Sequence, residues 1–246
     1  MDQDALIQRQ YYAATAAAYD DMHVAAQDEH MFALHLLSAY INFHRIRSVL
    51  DVGAGTGRTI LSLRERHPDL IVRGVEPVQE LREQAHQKGV SREDLLDGDA
   101  YALPFADNSF DLVCEFAVLH HVKEPRRMIA EMTRVAGRMI AVSDCNFMAG
   151  GSLGLRLLKY GLFVSGLWRA ADLIKTKGKG YTISEEDGLA YSYSVFESLP
   201  QIKADWRNIR LTATRGQQGS RLSQMLTADQ FLVVGYDKAS APSAVR

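Results

Sequence analysis

The chain has 246 residues, 47% of them hydrophobic and 24% charged, with a formal net charge of -2. Those are the values of an ordinary folded chain with a large core; disorder and a membrane class are not expected, and no basic excess invites nucleic acid. The two cysteines, Cys114 and Cys145, form no Cys-x-x-Cys pair, so neither a disulfide frame nor a metal site is expected.

The start, Met1-Asp2-Gln3-Asp4, is acidic and no uninterrupted apolar run follows, which argues against a secretory leader and for a cytoplasmic location. Alanines with Tyr11, Tyr12 and Tyr19 predict a helix over residues 4–21. Phe32, Leu34, Leu36, Leu37, Tyr40 and Ile41 predict a second. Val49-Leu50-Asp51-Val52-Gly53-Ala54-Gly55-Thr56-Gly57-Arg58 then reads as strand, tight turn and helix start. Glycine admits positive φ and lets a ligand approach bare backbone, so such a turn is a seat for a cofactor. A dinucleotide fingerprint would place the third glycine one position later.

Pro68 stops the following helix, and residues 70–75 read as the second strand, ended by Glu76. An acid at that strand tip can accept from both hydroxyls of a ribose. A short strand precedes Gly98-Asp99-Ala100. A polar turn at 106–109 leads into a fourth strand to about Glu115. Phe116-Ala117-Val118-Leu119-His120-His121-Val122 then lies at that strand's carboxyl end, where open α/β sheets bind ligands. A helix over 124–135 and a strand over 137–143 complete five strand–helix alternations, which predict a parallel sheet covered on both faces. The rhythm breaks at 144–206, an interval too long for a crossover and read as a helical cap. Strands are expected again over 209–213 and 231–236.

The glycine turn, Glu76, Asp99 with Ala100, and the Leu-His-His-Val segment, in that order, resemble the motifs of class I S-adenosylmethionine-dependent methyltransferases, small-molecule branch, over roughly residues 45–145. The resemblance implies a Rossmann-like α/β fold: a seven-stranded, mostly parallel sheet with an antiparallel last strand and an inserted helical cap. It divides the single domain into N-terminal helices (1–44), a cofactor core (45–143), the cap (144–206), a terminal strand pair (207–238) and a frayed tail (239–246). It implies S-adenosylmethionine as cofactor, with Asp51, Gly53, Gly55 and Gly57 at its methionine side, Glu76 and Pro77 at the ribose, Asp99 and Ala100 at the adenine, and Glu115 and Phe116 closing the strand end.

Methyl transfer from a sulfonium is an in-line displacement, for which alignment supplies much of the acceleration. For a hydroxyl acceptor a base helps, and His120 and His121 are the candidates, His121 slightly favoured. Tyr11, Tyr19, His23 and His30 from the N-terminal helices, and Asp144, Asn146, Tyr181, Tyr191 and Tyr193 from the cap, are candidate acceptor contacts, although packing is the commoner role for such residues. Lys179, within the basic stretch of Arg169, Lys175 and Lys177, is a candidate anion contact on the acceptor. Residues 153–168 are apolar but too short and too interrupted to span a membrane. They suit a lid helix over an apolar acceptor, a docking face or a homodimer contact. Two other classes stay open: an NAD-dependent oxidoreductase, and a cofactor-binding sensor without turnover.

Overall fold

A computed structural model describes residues 3–216 and 220–239, without the side chains of residues 221 and 222. Apart from Ala239, the expected tail lies outside the described residues. Helices come first: α1 (Gln3–Thr15), a 3-10 turn (Ala16–Ala18), α2 (Tyr19–His23) and α3 (Glu29–His44). The single helix expected over 4–21 is thus broken, and the break lets Tyr12 and Tyr19 turn their rings toward one another, 5.7 Å between centroids. Asp28 caps α3, accepting from the Met31 amide at 2.6 Å.

Strands and helices then alternate: β1 (Ser48–Val52), α4 (Arg58–Arg66), β2 (Ile71–Val75), α5 (Gln79–Gln87), β3 (Leu95–Leu96), β4 (Phe110–Phe116), α6 (Pro125–Val135) and β5 (Ala136–Cys145). Alternation along β1 separates two cores. Val49 packs with Leu34, Ile60 and Leu63 on one face. Leu50 and Val52 pack with Met128 and Ile129 on the other. Both faces of the sheet are therefore buried, as parallel strands require.

Past β5 the chain forms α7 (Leu153–Val164), α8 (Trp168–Lys175), a hairpin of β6 (Tyr181–Ser184) and β7 (Gly188–Tyr191), and α9 (Val195–Asp205). The interval 144–206 is therefore not purely helical. Its last helix also joins the core, with Val195 and Ile202 packed among Met128, Met132 and Trp206. The chain continues through β8 (Trp206–Arg215), α10 (Arg221–Thr227) and β9 (Gln230–Lys238). The seven-stranded sheet runs β3-β2-β1-β4-β5-β9-β8. Only β9 is antiparallel, wedged between β5 and β8. The strand order reverses between β1 and β4, which opens a crevice at their carboxyl ends. Among the described residues no helix is long and apolar enough to cross a membrane.

Candidate active site

The crevice begins at the glycine turn. Gly53 and Gly55 hold φ of 78° and 53°, and a Cβ on Gly53 would stand 2.5 Å from Val118 Cγ2. Backbone is therefore bare along this wall. The Gly55 amide donates to Glu76 Oε2 at 3.0 Å, and the Val78 amide to Oε1 at 2.9 Å. Glu76 is buried, and burial pushes its carboxyl up to about 6 against the pull of these amides. In a dinucleotide fold the turn's amides face a pyrophosphate; here one is taken by a carboxylate, whose charge would repel a phosphate. The NAD alternative is disfavoured on that ground.

The cavity continues past Pro77 to Gly98, Asp99, Ala100 and Tyr101, enclosing about 1050 Å³ of empty space out to its mouth, room for a nucleoside-sized ligand. Asp99 Oδ1 accepts from the Tyr101 amide at 2.9 Å, and Arg9 Nη2 lies 3.7 Å from its other oxygen. Bare backbone at one end, a buried carboxylate midway and a second, half-exposed carboxylate at the other suit a cationic sulfonium nucleoside better than an anionic one. By this test the residues fit S-adenosylmethionine.

Three expected cofactor residues do not line the cavity. Asp51 lies beneath the turn, near Cys114 Sγ at 3.9 Å, and burial raises it to about 7. Gly57 faces Val90 and Ala85 of the α5 layer. Glu115 is fully buried; its Oε2 accepts from the Val118 amide at 2.9 Å, and burial, reinforced by Asp144, holds its carboxyl well above the usual range. Gly53, Gly55, Glu76, Pro77, Asp99, Ala100 and Phe116 do line it.

A second chamber adjoins the first. Tyr12, Tyr19, Phe116, Ala117, His121 and Tyr191 line both, so they form the common wall. Ala117 sits there at φ 60°, a left-handed conformation that is uncommon for a residue with a Cβ and typical of functional turns. Its amide is fixed on Ser143 O at 2.8 Å.

The two histidines have different environments. His121 Nδ1 lies 2.7 Å from Leu189 O, a bond that only a protonated Nδ1 can make. Its Nε2 then carries a lone pair and accepts from Tyr12 Oη at 2.9 Å. Burial and the neighbouring His120 charge both lower its pKa, so it is neutral near pH 7. His120 Nδ1 donates to Asp144 Oδ1 at 2.7 Å and its Nε2 faces Asp187 Oδ2 at 3.3 Å. Burial alone would favour neutral His120, but Asp144, aided by Asp187, outweighs it and raises the imidazole to about 10. His120 is a cation held between carboxylates. Asp187 Oδ1 also lies 3.4 Å from His121 Nε2.

Folding brings together what the sequence separates: His120, His121 and Asp187 offer donor atoms within 4.8 Å of one another, as do His120, Asp144 and Cys145. No cysteine spacing announces either set. Among the candidate acceptor contacts, Tyr19, His23, His30 and Tyr191 line the second chamber. Tyr11 instead donates to Glu185 O at 2.8 Å, outside both cavities. Asp144 lies beneath His120. Asn146 clasps the Met225 and Ala228 carbonyls, and Tyr193 is a core residue bonded to Ser198. Tyr181 meets Tyr191 edge to face at 6.1 Å, and Lys179 is exposed; neither lines either of these two chambers. Gln8, Arg9, Tyr12 and Asp187 also line these chambers, and no sequence signal marks them. Asp187 reads as hairpin punctuation before Gly188, and the others as ordinary polar positions on a helix.

The sheet order and the crevice at its switch point are those of the Rossmann-like methyltransferase fold. Residues 50–138 match the family model described as a methyltransferase domain. Among curated proteins, YcgJ of Bacillus subtilis, named an uncharacterized methyltransferase, is 33% identical over 139 residues, 53% of this chain and 53% of its own. The demethylmenaquinone methyltransferase of Deinococcus radiodurans is 32% identical over 155 residues, 60% of this chain and 63% of its own. The chain thus spans little more than half the length of these relatives. Magnesium protoporphyrin IX methyltransferase of Synechocystis PCC 6803, solved with bound SAH, superposes with a TM-score of 0.57 at 17% identity, covering 94% of this chain and 99% of that one.

Proposed function

We propose that the protein moves a methyl group from S-adenosylmethionine to a small-molecule acceptor, at a hydroxyl oxygen, by in-line displacement. One observation carries the reading: the neutral His121 lies on the wall common to both cavities, its lone pair reached through the Tyr12 hydroxyl. The cofactor, when bound, supplies an electrophilic methyl on a cationic sulfur. Gly53 and Gly55 give it bare backbone, Glu76 accepts from its ribose, and Asp99 with the Ala100 amide meets its base. Tyr12, whose pKa burial raises, stays a neutral hydroxyl able both to accept and to donate. The acceptor's proton passes to Tyr12 Oη as the Tyr12 proton passes to His121 Nε2. The acceptor oxygen would gain the methyl that the cofactor supplies, the electron pair of the broken C–S bond staying with the sulfur. Asp187 then faces the newly charged His121. Alignment supplies most of the acceleration and the base a further factor of about 10²–10⁴.

The second chamber carries four carboxylates, Asp21, Asp28, Glu29 and Asp187, against two cations, Arg58 and the charged His120. That lining favours a polar, uncharged or cationic acceptor over the anionic one expected around Lys179. Calorimetric titration with S-adenosylmethionine, S-adenosylhomocysteine and NAD, followed by a screen of hydroxylated acceptors for methyl incorporation, tests the reading. Binding of both sulfur nucleotides with methylated product supports it; binding of NAD alone, or methyl incorporation unaffected by His121→Asn, removes it.

A further inference from the structure

Of the fourteen large apolar side chains that stand exposed among the described residues, eight lie between Leu153 and Ile174, seven on α7 and α8 and Leu167 in the link between them. Leu157, Leu158, Val164, Leu167 and Ile174 are 51–81% exposed. The arrangement is inverted relative to a surface helix, whose charges face water. On α7 it is the charges that fold inward: Lys159 Nζ donates to the Phe147 and Gly150 carbonyls at 2.9 and 2.8 Å. Arg156 Nε donates to Gly151 O at 2.7 Å. The leucines face out, and no α7 residue is buried. An apolar face of this extent marks an interaction surface.

Charge decides what covers it. Between residues 150 and 180 the sequence carries six basic side chains and one acid, Asp172. Asp172 is buried and accepts from Ser192 Oγ at 2.7 Å. Arg169, Lys175, Lys177 and Lys179 are exposed beside the leucines. A second copy meeting this face across a twofold axis would set cation against cation. A bilayer with anionic headgroups receives both halves at once, leucines among the acyl chains and lysines at the phosphates. With 12 and 8 residues, α7 and α8 are too short to cross it. The geometry points to a monotopic docking surface: α7 and α8 lie in the interface of an anionic phospholipid membrane.

The anchor is mechanically tied to the site. Phe147 stacks on Trp168 at 4.1 Å, and the Ser192–Asp172 bond joins α8 to the end of β7, next to Tyr191 on the common wall.

Flotation of the full chain with phosphatidylcholine vesicles, with and without phosphatidylglycerol, tests this independently of methyl transfer. The chain is expected to float with anionic vesicles, weakly with neutral ones, and less as salt is raised. Leu157→Glu and Ile174→Glu, both at exposed positions, should each weaken binding at least about tenfold. The double variant Lys175→Gln, Lys177→Gln should remove the preference for phosphatidylglycerol. All variants should keep the wild-type circular dichroism and cofactor affinity. No flotation with anionic vesicles, flotation unchanged in the glutamate variants, or a wild-type dimer that those variants make monomeric would overturn the proposal.

Discussion

Tyr12 Oη lies 2.9 Å from His121 Nε2, and this bond helps join the helical roof of the crevice to the strand end beneath it. If the proton leaves along this route, Tyr12→Phe and His121→Asn should each lower kcat by about 10²–10⁴, with the S-adenosylmethionine Kd within about threefold of wild type. Single-turnover rates beside calorimetry check this. Equal losses in Kd and kcat would mean the roof only seats the cofactor.

If Glu76 holds the ribose as proposed, cofactor binding depends on pH. Burial holds its carboxyl at about 6, above the ordinary carboxylate value, and it is the ionised form that would accept from both ribose hydroxyls. Affinity for S-adenosylmethionine should therefore rise as pH climbs through about 6, and Glu76→Gln should flatten that rise while weakening binding by about 1.5–3 kcal/mol. Stability runs the other way: the native state holds this proton more tightly, so Glu76's contribution is largest at low pH and falls as pH rises through about 6. Calorimetric titrations from pH 5 to 8 measure the first effect.

His120 and Asp144 form a buried ion pair at 2.7 Å. His120 titrates at about 10, well above an ordinary imidazole, so its stabilising contribution is complete below about 6.5 and is lost as pH rises through about 10. Asp144, lowered by His120 against its burial, contributes above the ordinary carboxylate value and loses that contribution in acid. Asp144→Asn should cost about 3–5 kcal/mol at pH 7, and should flatten the fall in urea midpoint between pH 8 and 10.

Gly53→Ala meets two obstacles, a φ of 78° and a contact of 2.5 Å with Val118 Cγ2. A loss of about 1–3 kcal/mol in stability is expected, together with loss of cofactor binding. Adding Val118→Ala should relieve the contact but leave the backbone cost of about 1–2 kcal/mol. Chemical denaturation of both variants separates the two.

Although His120, His121 and Asp187 converge within 4.8 Å, a ligating imidazole must give up its proton. His120 holds its proton to about pH 10. Treatment with a chelator should therefore leave turnover unchanged; a loss restored by zinc or manganese would show that a metal ion displaces that proton.

The sheet was legible because its signals are local. Alternation in β1, the turn at Gly53 and Gly55, and an acid at each following strand tip fall within a few residues of one another, and their order is kept in space by the parallel crossovers. Glu76 and Asp99, which both line the crevice, could be read for that reason. Tyr12, Gln8 and Asp187 could not, because each acts across the fold: Gln8 lies 113 positions from the His121 it approaches at 3.0 Å. No periodicity carries such a distance. Asn146 and Tyr193 misled for the opposite reason. A polar atom in a region read as a cap looks available, whereas both are committed to the packing of α9 and α10.

The position of β9 bears on how the molecule is made. It is synthesised after β8, yet lies between β8 and β5. While a ribosome is still producing residues 206–215, that strand lacks its partner in the sheet: its neighbour there, among the described residues, is the stretch 230–238, not yet translated. The parallel half, β1 to β5, can assemble on the nascent chain, but β8 waits as an unpaired edge until β9 arrives and closes both ladders in one event. A pause in translation between the two would prolong that exposure, and aggregation of the nascent chain should follow the length of the pause.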